Sequence, residues 1–119
     1  MRLPSHLRMK SSRDFARVRA EGASLPGRYL VLGVLRDESL KDFRFGLITP
    51  GRIGIAVVRN TIRRRLREIV RLNQARIRCG HYLVIIARWK APEADYGDLE
   101  KDWLRLAKKA GVLLPEEAA

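Results

Sequence analysis

One segment restricts the possible folds of this chain more than any other. Between Ala56 and Arg71 it reads Ala-Val-Val-Arg-Asn-Thr-Ile-Arg-Arg-Arg-Leu-Arg-Glu-Ile-Val-Arg, six arginines in thirteen positions. Apolar residues recur at three- and four-residue steps through Ile55, Val58, Ile62, Leu66, Ile69, Val70 and Ile77. That period predicts a helix over about Gly54–Arg78 with one apolar stripe. At about 100° per residue, Asn60, Arg63, Arg64, Arg67, Arg71 and Arg78 gather on the opposite side, while Arg65 and Arg76 flank the stripe and Arg59 falls beside it. A solvated helix face, the ordinary explanation of a charge run, interleaves acids. Here only Glu68 interrupts Arg63 to Arg71. Like charges at i,i+4, such as Arg63 with Arg67, weaken an isolated helix by roughly a few tenths of a kcal/mol each. Such a segment calls for a protein core on one side and a polyanion on the other.

The flanking sequence supplies that core. Ser11 with Asp14 resembles a capping box opening a helix to about Glu21, stopped by Gly22. Phe15 and Val18 share one of its faces. Tyr29 to Leu35 reads as a strand, with Gly33 as a bulge or close approach. Phe43 to Ile48 reads as another, with Phe43, Phe45 and Leu47 on one face and Ile48 breaking the alternation. The polar turn Asp37-Glu38-Ser39 between them suggests an antiparallel hairpin. A further short strand fits within Ala23–Gly27. Gly80 is expected to end the arginine helix, and Tyr82 to Ala87, apolar on both faces, reads as a central covered strand. Pro92 and Asp95 introduce a last helix with a stripe of Tyr96, Leu99, Trp103, Leu106 and Ala110, closed by Gly111 and Pro115. The order is that of an α+β or split-βαβ layer fold, a sheet with helices against one face. At 119 residues it is read as a single domain with a core over about residues 7–112 and flexible ends.

Charge narrows the function. The formal net charge is +12. Residues 1–90 hold 21 Lys or Arg against 6 Asp or Glu, while residues 91–119 hold 4 against 7. Arginine outnumbers lysine 19 to 6; its planar fork suits phosphate oxygens and stacks on bases, as nucleic-acid binding requires. A genome rich in G and C would also favour arginine. Cys79 is the single cysteine, so an intrachain disulfide is impossible; a half-buried, inert thiol and a reducing compartment are expected. No stretch approaches the roughly 18 apolar residues of a membrane span, and Met1 to His6 lacks the apolar region of a signal peptide, so a cytoplasmic location is expected. His6, His81 and Cys79 make no metal-ligand spacing, paired carboxylates for nuclease chemistry are not visible, and no nucleotide-binding loop is present. Aromatic residues lie in or beside the first helix and the strands, where an open face would let unpaired bases stack.

Three stretches together resemble the signature of the bacterial ribonuclease P protein subunit: Arg44-Phe45-Gly46-Leu47-Ile48, Gly54-Ile55-Ala56-Val57-Val58-Arg59-Asn60 and Ile62-Arg63-Arg64-Arg65-Leu66-Arg67-Glu68. The opening Arg13-Asp14-Phe15 helix and the strand Tyr82 to Arg88 extend the resemblance to about residues 7–112. The chain departs from the pattern at Pro50-Gly51-Arg52, where a Ser-Lys-Lys turn is usual. It departs again at Ile55 for Asn, Thr61 for the third residue of an Arg-Asn-Arg signature, and Arg19 and Gly33 for aromatics. The resemblance implies a fold like the second domain of ribosomal protein S5. That is α-β-β-β-α-β-α, with a mixed sheet and a split, left-handed βαβ crossover around the arginine helix, against the usual right-handed rule.

The implied activity is endonucleolytic removal of the 5′ leader from precursor tRNA by a ribonucleoprotein whose RNA subunit is the catalyst. The protein would supply no catalytic residue and bind no cofactor or metal, Mg²⁺ being required by the RNA. Its partners would be the catalytic RNA, at 1:1 with an otherwise monomeric protein, and precursor tRNA. Arg52, Arg59, Asn60, Arg63, Arg64, Arg65, Arg67 and Arg71 would face the ribozyme. A cleft with Phe15, Arg17, Arg19 and Arg88 would guide the leader. Two alternatives use the same arginines: a general or ribosome-associated RNA-binding protein without processing activity, and a DNA-binding protein placing the helix in the major groove.

Overall fold

The computed structural model describes residues 4–115. The ends expected to be flexible, and the stretch Met1 to His6, lie in part outside those residues. The elements are α1 (Ser12–Glu21), β1 (Ala23–Pro26), β2 (Leu30–Arg36), β3 (Phe43–Ile48), α2 (Ala56–Leu72), β4 (His81–Ala87) and α3 (Tyr96–Lys109). Short 3₁₀ turns cover Ser5–Leu7, Gly51–Ile53, Gln74–Arg76 and Ala91–Glu93. The strands form one mixed sheet in the order β1-β2-β4-β3, antiparallel except for the parallel pair β3/β4.

The hairpin expected between β2 and β3 does not form. β4 inserts between them, pairing Leu32 with Ile85 on one side and Phe45 with Leu83 on the other. The reason lies in β4 itself. Leu83, Val84 and Ile85 are all buried, so this strand belongs in the middle, and the turn at Asp37-Glu38-Ser39 only reverses the chain.

Helices cover both faces, not one. Leu83, Ile85 and Ala87 of β4 join Leu30, Leu32, Phe43 and Phe45 under α2 and α3, which contribute Ile62, Leu66, Ile69, Leu99, Trp103 and Leu106. Each of the Leu, Ile and Phe side chains among them contributes about 1.5–3 kcal/mol by leaving water. The intervening residues Tyr82 and Val84 point the other way and meet Val18 of α1 and Met9. Ile48 packs partly buried in that second cluster, so its break in the alternation of β3 is no defect. Because α1 has only ten residues, it leaves part of this face open.

Ser11 caps α1 by accepting from Arg13 N at 3.1 Å, without the reciprocal bond of a capping box. The full box occurs at α3, between Asp95 and Asp98. The arginine helix starts at Ala56 and stops at Leu72, shorter than its apolar period suggests. Asn73 ends it: its Nδ2 donates to Ile69 O at 2.8 Å, and Gly80 serves instead in the turn before β4. Ile77 therefore lies beyond the helix, buried and bridged to Leu113, and Arg78 leaves the helical face. Ile55, expected in the apolar stripe, is the N-cap residue and 72% exposed. Cys79, expected half-buried, is exposed.

Candidate nucleic-acid interface

Packing divides the arginines of α2 into those used by the protein and those left over. Ile62, Leu66, Ile69 and Val70 fix the rotation of the helix by lying on the sheet. Arg65, flanking that stripe, is drawn inward and its Nη1 donates to Ala94 O at 3.2 Å, tying α2 to the segment before α3. Arg71 donates from Nε and Nη2 to the two oxygens of Glu68 at 2.8 and 2.6 Å. That fork raises the Arg71 guanidinium above its ordinary value and lowers Glu68. Arg59 is half-buried with its Nε hidden and unpartnered. Of these three, all expected at the interface, the fold engages Arg65 and Arg71, while Arg59 has no hydrogen-bond partner for its hidden Nε among the described residues. Arg52, Asn60, Arg64 and Arg67 are exposed, and none has a carboxylate partner among the described residues. Arg63 is half-buried, its Nε donating to the buried Thr49 hydroxyl at 2.7 Å.

Arg63 and Arg67 meet a third cation that sequence reasoning missed. Residues 5–9 run beside the outer edge of β3, held by Met9 N donating to Phe45 O at 2.8 Å, and Arg8 bridges Phe45 there. Arg8, Arg63 and Arg67 line a notch of about 190 Å³ whose floor is Met9, Phe15, Phe45, Gly46 and Leu47. Burial first, then the charges of Arg8 and Arg63, lower the Arg67 guanidinium from its ordinary value. Three cations crowd here with no acid between them. The only sequence signal for Arg8 was its position between the apolar Leu7 and Met9.

Phe15 walls this notch on one side and an apolar slot on the other. The slot, about 110 Å³, is lined by Val18, Gly22, Gly33, Ile48, Val84 and Ile86, with Arg19 exposed at its mouth. Gly46 makes the placement of Phe15 possible, since a Cβ at Gly46 would stand 2.4 Å from the ring. Gly33 lies in the slot wall, 3.3 Å from Val18 Cγ1 at its would-be Cβ.

Two residues expected in the leader cleft, Arg17 and Arg88, are not among those lining the slot. Arg17 Nη1 donates to Asp37 Oδ2 at 2.9 Å, its Nε lies 3.7 Å from Glu21, and its guanidinium stacks 5.8 Å above the Tyr82 ring. Ser39 first, then Arg17, hold Asp37 at about 2. Arg88 is engaged at the far end of the sheet, donating from Nη1 to Gly27 O and from its backbone N to Tyr29 O. Both are partnered because loops distant in sequence present acceptors to them. Among the described residues no group of three His, Cys, Asp or Glu is placed to hold a metal ion, and no helix is long and apolar enough to cross a membrane.

The family model described as Ribonuclease P matches residues 3–111. The chain belongs to the ribonuclease P protein family. It is 37% identical over 110 residues to the ribonuclease P protein component of Syntrophomonas wolfei, covering 92% of each chain. To that of Symbiobacterium thermophilum it is 39% identical, covering 92% of this chain and 95% of the relative. Among solved structures, a Staphylococcus aureus RNase P protein mutant with defective mRNA degradation activity superposes with a TM-score of 0.86 at 27% identity, with 92% of each chain covered. The RNase P protein of Thermotoga maritima gives 0.78 at 31% identity, covering 86% of this chain and 96% of that one. The three-helix, four-strand mixed α+β layout is the one these family structures share.

Proposed function

We propose that this chain is the protein subunit of ribonuclease P and assists removal of the 5′ leader from precursor tRNA, with the cleavage chemistry and its Mg²⁺ residing on the RNA subunit. The observation that carries the reading is the shared wall at Phe15. A cluster of three cations with no carboxylate partner among the described residues on one side, and an apolar slot on the other, match the two halves of a nucleotide, phosphate and base. Asn60, Arg64 and Arg67 on the outer face of α2, with Arg52 in the turn before it, dock on structured RNA of the ribozyme. An unpaired leader nucleotide sits across Phe15, its backbone turned toward Arg8 and Arg63 and its base toward Ile48 and Ile86. Arg19 at the mouth acts by charge or guanidinium stacking where an aromatic is usual in the family. Bringing cations between two polyanions lowers their mutual repulsion and helps retain Mg²⁺ at the RNA. One protein per ribozyme, in the cytoplasm, completes the reading.

The test is cleavage of a precursor tRNA by a bacterial ribonuclease P RNA at low Mg²⁺, with and without the protein. Stimulation by the protein is expected, with production of the mature 5′ end. RNA binding without stimulation would point instead to a general RNA-binding protein of the same fold.

A further inference from the structure

The α2 notch lies at the β3 edge of the sheet, and a second groove, with three cations against two carboxylates, lies at the other edge. It runs between α3 and the turn joining β1 to β2, has a volume of about 490 Å³, and is lined by Arg28, Tyr29, Lys101 and Arg105 beside Asp98 and Asp102. Both carboxylates take part in the local hydrogen bonding, Asp102 the more fully. Asp98 Oδ2 accepts from Asp95 N, and Asp102 accepts three backbone N–H groups together with Arg105 Nη2. Arg28 and Lys101 are exposed and have no carboxylate within 4.0 Å among the described residues. Aromatic rings flank the same turn. The Arg28 guanidinium lies 5.4 Å above the Tyr29 ring. One residue past Arg88, whose N–H bonds Tyr29 O, Trp89 is 62% exposed with Lys90 Nζ at 5.1 Å from its ring. Most of the indole surface is therefore open to solvent.

We infer that this edge is a second RNA-binding surface, which takes an unpaired RNA strand through phosphate contacts to Arg28 and Lys101 and base stacking on Trp89 and Tyr29. Cations beside accessible aromatic faces are the recurrent composition of single-strand sites, because every base offers a π-face and every linkage a charge. A duplex hides the base faces that Trp89 would meet. The protein is thereby bivalent: an RNA held at the α2 edge leaves the α3 edge free for another segment, and joining both raises the effective concentration of the second contact. The inference stands apart from leader processing, since it concerns other residues and is read on the protein alone.

The experiment uses a fluorescent 12-nucleotide oligouridylate and the full chain, with affinity measured across a salt series. In the background R63A/R64A/R67A, which weakens the first surface, residual binding is expected. Adding Arg28→Ala and Lys101→Ala should weaken it at least fivefold and lower the log–log salt slope by about 1.4, two phosphates at roughly 0.7 each. The charge-preserving pair Arg28→Lys and Lys101→Arg should restore the slope, which separates lost charge from lost fold. Trp89→Ala should weaken binding with the slope unchanged. Affinity and slope equal to those of the background after the alanine pair would overturn the proposal. Equal binding of a blunt duplex of the same length at this edge would overturn the single-strand assignment.

Discussion

Asp102 organises the turn between β1 and β2. It is 6% exposed on α3, and its oxygens accept from Arg28 N, Tyr29 N and Leu30 N at 3.1, 2.9 and 3.0 Å. Burial alone would raise its carboxyl, but the bonds from those amides and Arg105 outweigh it and the net shift is downward. Gly27 is part of the same construction, because a Cβ there would stand 2.6 Å from Asp102 Oδ2. Replacing Asp102 by Ala leaves three amides without an acceptor and should cost about 2–4 kcal/mol in urea unfolding. The sign with pH follows from the lowered carboxyl. Its stabilisation is complete above the unfolded value near 3.9 and is lost as pH falls toward the lower folded value. The gap between the native chain and Asp102→Ala should therefore shrink in acid. Gly46 is the matching residue at the candidate site. Gly46→Ala should displace the Phe15 ring and weaken binding of precursor tRNA several-fold, with mature tRNA affected less. Equal losses for the two RNAs would separate Phe15 from the leader.

At the scale of elements, α2 carries most of what the sequence reveals and most of what it conceals. Its inward residues Ile62, Leu66 and Ile69 were legible from their period, because an amphipathic helix must turn that stripe to the sheet. Its ends were not. Ile55 and Ile77 continue the period by coincidence, and the stop at Asn73 depends on a side chain bonding back to Ile69 O, which periodicity does not register. Leu66→Ala should cost about 2–5 kcal/mol, whereas Ile55→Ala, at an exposed position, should change stability by less than about 0.5 kcal/mol. Comparable losses at both would contradict the orientation of the helix. The strands divide in the same way. β4 was legible as central from its unbroken apolar run, yet its partners were not, since the short turn after β2 resembles a hairpin loop. The arginines show why a site is harder to read than a fold. Position on a helical wheel assigns Arg64 and Arg67 outward correctly. It is blind to Ala94 O, Glu68 and Asp37, which engage Arg65, Arg71 and Arg17 through tertiary contacts. Arg8 was invisible because nothing in its neighbourhood shows that residues 5–9 lie along β3.

The whole molecule carries +12, so its folded state is opposed by its own charge. Anions that occupy the cationic surfaces should raise stability by binding the native form. Sulfate is expected to raise the melting temperature more than sodium chloride at equal ionic strength; identical effects would reduce the phenomenon to screening. Total charge alone would also attract RNA, and the central claim is narrower: a particular face of α2 makes the contact. The most direct measurement compares RNA affinity against salt for the native chain, for R63A/R64A/R67A and for R65A/R71A, using the ribonuclease P RNA. Removing the outward arginines should flatten the log–log slope by about 2–3, three phosphates at roughly 0.7–0.9 each. Removing the two that the fold has already engaged should leave the slope within about one unit of the native value. Equal slopes for the two variants, scaled only by the charge removed, would contradict the account.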